Sequence, residues 1–377
     1  MVNTGRHKGK KIMWIILPLI FICVISAICV ILPPSRGTIK PFTDDSGKIL
    51  DGGITEKISV EINGATLGMF IMARNGGNPV LLFLSGGPGI PEFLMEQWYP
   101  SGLEKEFVVC YPEYRGASLS FDPGLDPESI TLDQYISDAV GITKYLCKRF
   151  GQEKIYLMAH SFGTYVGINL VDRYPELYNA YISMSQKTDG RISEALAYDY
   201  MYGQYKTQGN DKMTKRFEKY PIHTSAEAFD RYLGEAGGLR DTAMHDLGVG
   251  TTHEMRSVIS GVFFPSLRCA VYTPMERINI WRGKILLAKT PVGQGIWDYS
   301  AFEDVPRIDI PVYFLAGIYD YTCPYSLQRE YYDKIDAPLK AFYTFHNSAH
   351  SPLYEEPERA MRILVADVLA GKTELAD

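Results

Sequence analysis

The chain has 377 residues, 38 basic and 44 acidic, with a net charge of −6, 46% hydrophobic residues and 22% charged ones, which excludes wholesale disorder and permits a full-sized core. The first 35 residues hold Arg6, Lys8, Lys10 and Lys11 and no acid, so the remainder stands at −10; a body that acidic excludes nucleic acid as an expected partner, because phosphate binding needs clustered Lys and Arg. Six cysteines in so long a chain do not make a disulfide scaffold.

Residues 1–11 form a basic segment, and residues 12–32 follow without a single charge. An apolar stretch of this length spans roughly 31 Å as a helix, about the thickness of a hydrocarbon layer. Pro18 and Ser26 interrupt the run and are both tolerated in a membrane helix. The stretch is predicted to be a single-pass transmembrane signal-anchor. The positive flank stays cytoplasmic, so the rest of the chain is expected outside the cytoplasm. A cleaved signal peptide is the rival reading, with Ile25-Ser26-Ala27 as its cleavage site. Residues 33–50, with Pro33, Pro34, Gly37, Pro41 and Gly47, read as a linker.

Lys57–Ile62 and Ala65–Ala73 are apolar-rich runs joined by Asn63-Gly64, the signature of a hairpin with a type I′ turn. The pattern then changes. Val80–Leu84, Phe107–Cys110, Ile155–Met158 and Ala180–Met184 are short continuous apolar runs, predicted as strands buried on both faces of a parallel sheet. The clearest helix lies between Thr131 and Gly151. Thr131 and Gln134 fit a capping box, Leu132, Tyr135, Ile136, Ala139, Val140 and Leu146 share a face, and Gly151 supplies the stop. From about Gly190 to Val305 the alternation fades into a Tyr-rich, helical stretch. Strands resume at Val312–Leu315 and Leu339–Phe345, and a helix from about Glu358 to Leu369 closes the chain. The fold class expected is α/β: a first core segment over 51–187, a helical cap over 188–305 and a second core segment over 306–377.

Four motifs fall at predicted strand ends, where open parallel sheets gather their sites. Ala159-His160-Ser161-Phe162-Gly163 follows one strand and opens a helix. A nucleophile on such a turn needs small residues two before and two after it, which Ala159 and Gly163 supply. An ordinary N-cap serine is the bland reading. Ser85-Gly86-Gly87-Pro88-Gly89 is a glycine-rich turn that brings bare backbone N–H groups close to a substrate. The N–H groups of Gly87 and Phe162 are the expected oxyanion donors, each worth about 2.7–4 kcal/mol in acyl transfer. No Gly-Lys-Ser/Thr follows, so a phosphate loop is excluded. Asp320, in Gly317-Ile318-Tyr319-Asp320, would orient an imidazole. His350, in Ser348-Ala349-His350-Ser351-Pro352, would take and return the Ser161 proton. His346 is the competitor, but it abuts the strand. The order Ser161, Asp320, His350 is that of the α/β-hydrolases.

With these residues in place, the chain resembles the α/β-hydrolase superfamily, and within it the proline iminopeptidase-like serine peptidases. The likeness runs from about residue 57 to 370. It rests on Gly-Gly-Pro-Gly at 86–89, Tyr-Arg-Gly-Ala-Ser-Leu-Ser at 114–120, and the Ser161, Asp320 and His350 loops. It implies a Ser161–Asp320–His350 triad, a helical lid, no cofactor, and removal of an N-terminal residue from peptides. Ser85, Pro112-Glu113-Tyr114 and Ala159 depart from the family pattern, the first two on the expected oxyanion-side wall. Family members hold the peptide amine through lid carboxylates, for which Glu194, Glu227, Asp230, Glu235 and Glu254 are candidates. The substrate expected is a small peptide; an acyl ester is the alternative, and a non-catalytic binding protein on a hydrolase scaffold the third reading. His253-Glu254 lacks a second His at helical spacing, so no metal is predicted. Tyr198, Tyr200, Tyr202 and Tyr205 read as packing before lid lining.

Overall fold

The computed structural model describes residues 30–377. The apolar run at 12–32 therefore lies, apart from its last three residues, outside the described residues. Among those described, no helix is long and apolar enough to cross a membrane.

Eight strands form one sheet in the order β1-β2-β4-β3-β5-β6-β7-β8. β1 (Ile54–Ile62) and β2 (Ala65–Ala73) are the antiparallel hairpin. Asn63 and Gly64 both take positive φ (49° and 73°), as a type I′ turn demands. β2 also runs antiparallel to β4 (Val108–Pro112). The rest of the sheet is parallel: β3 (Val80–Leu84), β5 (Ile155–His160), β6 (Tyr178–Met184), β7 (Val312–Gly317) and β8 (Lys340–Phe345). All five residues of β3 are buried, and so are all six of β7, because helices cover both faces.

The helix Leu132–Phe150 begins at Thr131, whose hydroxyl accepts from the Gln134 N–H, and ends at Gly151 in the left-handed region. Only half of the expected capping box forms. The Gln134 amide donates instead to Asp138 (2.9 Å), a carboxylate that also holds Arg115 through two hydrogen bonds (2.7 and 2.8 Å). Arg115 reaches on to the Ile62 and Asn63 carbonyls, so this buried pair ties the hairpin turn to the helix.

Residues 33–50 run along the body. Arg277 donates to the Pro33 carbonyl (2.7 Å), Lys57 donates to that of Gly37 (3.2 Å), and Ile39 and Phe42 pack against the core. Between β6 and β7 lies the cap, whose longest helices are Gly190–Thr207 and Pro274–Leu287. It has a small core of its own, built on Tyr198, Met201, Tyr205, Phe217 and Tyr232. Two of the four tyrosines singled out thus fill this core, and Tyr200 stacks on Tyr321 with ring centroids 3.9 Å apart. The closing helix is Pro357–Ile363, continued by a wider turn over Leu364–Val368.

Candidate active site

β5 ends at His160, and Ser161 turns the chain into the helix Phe162–Arg173 with φ 55° and ψ −121°. A non-glycine residue there is strained, and the surroundings hold it: the Ser161 N–H donates to the Met184 carbonyl on β6 (3.0 Å), and its own carbonyl accepts from Thr164 (2.8 Å). The turn also needs close approach. A Cβ on Gly163 would stand 2.4 Å from the Leu84 carbonyl oxygen and 2.7 Å from that of Ser85. Gly163→Ala is expected to cost about 1–3 kcal/mol through this backbone clash, read as a lower urea midpoint; an unchanged midpoint would contradict it. Ala159, where the family pattern has glycine, is accommodated from the other side. A Cβ on Gly167 would lie 3.0 Å from the Ala159 methyl, so the missing side chain at 167 leaves room for it.

The loop after β3 presses against this turn. A Cβ on Gly86 would lie 3.2 Å from the Ser161 Cβ. The Gly86 N–H is occupied by Glu92 (3.3 Å). Phe162 opens its helix, so its N–H has no carbonyl four residues back. The Gly87 N–H has no recorded hydrogen-bond partner among the described residues, and Gly87 lines the same cavity as Ser161.

Asp320 and His350 come together from the ends of β7 and β8. Asp320 Oδ2 lies 2.9 Å from His350 Nδ1. Its Oδ1 accepts from the Thr322 and Cys323 N–H groups, both at 2.9 Å. Gly317 makes this meeting possible, since a Cβ there would stand 2.1 Å from the Ala349 carbonyl oxygen. His346 is exposed and takes no part in the pair. Glu355, with its pKa pushed up to about 7 by burial, accepts the Ala349 (3.0 Å) and Ser351 (3.1 Å) N–H groups that flank His350.

Sequence reading passed over two further members, Glu92 and His160. His160 Nδ1 faces both Glu92 carboxylate oxygens (3.1 and 3.2 Å), and its Nε2 faces the His350 carbonyl (2.8 Å). Both ring nitrogens therefore point at acceptors, which suits an imidazolium. Burial opposes that charge, but Glu92 and the His350 carbonyl together hold the His160 pKa above its ordinary value. This pair links the glycine loop to the His350 loop beside Ser161. His350 moves the other way. Burial lowers its pKa against the pull of Asp320, and the nearby His160 lowers it further.

Gly86, Gly87, Ser161 and His350 line one cavity of about 250 Å³, closed from above by Arg240, Asp241, Met244, Trp281 and Lys284 of the cap. None of the five expected amine-binding carboxylates faces it. Glu194 is buried and held by Arg240 through two bonds of 2.6 Å. Asp230 pairs with Arg191 and Glu235 with Arg231. The acids that do line the cavity are Glu92 and Asp241. Ser85 and the 112–114 segment also lie behind the wall and not in it. Glu113 is buried, accepts from Leu119 N–H and Tyr272 hydroxyl (both 2.7 Å), and burial pushes its pKa up to about 7. Its work is to fasten the 113–121 loop to the cap. The four cysteines described, Cys110, Cys147, Cys269 and Cys323, are all free.

The sheet, the turn at Ser161 and the inserted cap define an α/β-hydrolase, and a family model for the alpha/beta hydrolase fold matches residues 79–357. The chain belongs to that family. It is 27% identical over 287 residues to the Bacillus subtilis (strain 168) protein named "Probable aminopeptidase YbaC", covering 74% of this chain and 86% of that one. Among solved structures it resembles a proline iminopeptidase-related protein of Thermus thermophilus, with TM-score 0.58, 20% identity, and coverage of 84% and 99% of the two chains. It also resembles the proline iminopeptidase of Mycobacterium smegmatis, with TM-score 0.59, 16% identity, and coverage of 84% and 98%. An esterase from Exiguobacterium antarcticum shares the fold at TM-score 0.54 and 13% identity, covering 83% of this chain and all of that one.

Proposed function

We propose that the protein is a serine hydrolase in which Ser161 attacks a carbonyl, His350 carries the proton to the leaving group, and water releases the acyl-enzyme. Asp320 holds the imidazole tautomer, and the Gly87 and Phe162 N–H groups receive the oxyanion. One observation carries this reading: His350, paired with the buried Asp320, lines the same cavity as a serine held on a strained strand-to-helix turn. No cofactor enters the mechanism.

Within that class we favour an aminopeptidase of proline iminopeptidase type, supported by the likeness to the Bacillus aminopeptidase. The absence of all five lid carboxylates from the cavity wall favours the second reading, an acyl-ester hydrolase. Profiling the purified chain against aminoacyl-anilides and acyl esters separates them. Turnover of prolyl-anilide is expected; turnover of acyl esters alone would reject the peptidase reading.

General-base action requires a neutral His350. Its ordinary pKa is about 6.5, and burial lowers it. The acid limb of kcat/KM is therefore expected below pH 6.5 with a plateau at neutrality. A limb centred above pH 7 would contradict the assignment.

The anchored, extracytoplasmic placement is also proposed, from the charge-free run after a basic segment. Protease added to intact cells should then remove the body; full protection beside a cleaved surface control would reverse the orientation.

A further inference from the structure

The helix Pro274–Leu287 carries Trp281 and Lys284 into the cavity wall. Two glycine contacts, one on the core side and one on the glycine loop, set its position. A Cβ on Gly283 would stand 2.7 Å from the Ala117 Cα, and one on Gly89 would stand 3.2 Å from the Lys284 backbone nitrogen. Lys284 thus stands directly against the glycine loop that includes the proposed oxyanion donor Gly87. Every other cation in that wall has a partner. Arg240 is matched by Glu194 at 2.6 Å, and His160 by Glu92. Among the described residues, the Lys284 ammonium has no hydrogen bond and no carboxylate within 4.0 Å.

The charged groups that face it are Asp241 and Arg240. Asp241 is half-exposed and lies 3.5 Å from His245. An ammonium recessed in a partly apolar cavity is costly without a counter-ion. Burial accordingly holds the Lys284 pKa below its ordinary value, against the pull of Asp241.

We propose that Lys284 is the recognition group for a substrate carboxylate, held beside the scissile carbonyl. This rests on the serine hydrolase reading and narrows its substrate class to small molecules or short peptides that bring an anion into the cavity. In a short peptide the anion is the C-terminal carboxylate; in an acyl substrate it is a carboxylate on the acid part.

Protection of Ser161 from a fluorophosphonate tests this with the full-length chain. Two matched pairs serve as probes: Pro-Phe against its C-terminal amide, and monomethyl succinate against methyl succinamate, which keep a scissile carbonyl and differ only in the second carboxylate. The carboxylate of at least one pair should protect at about tenfold lower concentration or better, as expected for a charge-assisted hydrogen bond. Lys284→Met should close that gap and Lys284→Arg keep it. Each gap is a ratio on one preparation, so partial misfolding of a variant cancels. The pair that discriminates identifies which carboxylate is read. Equal protection in the wild type, or a gap that survives Lys284→Met, overturns the proposal. If the chain does not react with the fluorophosphonate, the nucleophile reading fails instead, and calorimetric binding of the same pairs decides the Lys284 question on the same criteria.

Discussion

Replacing His350 with alanine is expected to lower kcat by about 10⁴–10⁶-fold, the range seen when a triad base is removed from a serine hydrolase. The size follows from the geometry. Three imidazoles line the cavity, and two of them are engaged. His160 has both nitrogens turned to acceptors, and His245 is held between the Asp241 carbonyl (2.8 Å) and Thr251 (3.1 Å). That leaves His350, its pKa lowered, as the base for Ser161. His160 cannot substitute as a base without giving up Glu92 or the His350 carbonyl. The folded state should tolerate the change, because the loop is also held through Glu355 and the Ser185 hydroxyl (2.9 Å to the residue 350 carbonyl). Steady-state kinetics with circular dichroism as the folding control checks this. His346→Ala, on the exposed strand end, should keep wild-type turnover. The reverse pattern would move the base to His346.

Asp320→Asn is expected to lower kcat by about 10⁴-fold. Asp320 Oδ1 accepts two backbone N–H groups, from Thr322 and Cys323. An asparagine would place its carbonyl oxygen there, because an NH₂ group cannot accept from those donors. Its NH₂ would then occupy the Oδ2 position, 2.9 Å from His350 Nδ1 in the parent. A donor at that point forces the proton onto Nε2, the nitrogen that must receive the serine proton. The imidazolium formed during attack also loses its counter-charge. A loss of less than tenfold would show that Asp320 does not orient the base.

The framework of the site was legible because its causes are local. Continuous apolar runs such as Val80–Leu84 are buried on both sheet faces, and the loops that follow such strands converge at one edge. Strand ends were placed within two residues apart from the start of β1, which lies three residues earlier, at Ile54; Ser161 lies on the turn after β5, and Asp320 and His350 follow β7 and β8. What stayed hidden depends on three-dimensional approach. Glu92 meets His160 across 68 residues of chain, and neither position carries a spacing that announces the pair. The cap's inner surface depends on how its helices cross, so counting acids along the sequence selected five that face elsewhere, while Asp241 and Lys284 face inward. The half-formed box at Thr131 has the same origin: Gln134 meets Asp138 one turn later, in a network that Arg115 completes from a distant loop.

Ser161 is proposed to be an activated nucleophile. Treating the full-length chain with a fluorophosphonate and mapping the adduct by tandem mass spectrometry tests it most directly. Phosphonylation of Ser161 alone, strongly slowed by His350→Ala, is the predicted result. An unmodified Ser161, with no adduct or with one on another residue, would contradict it.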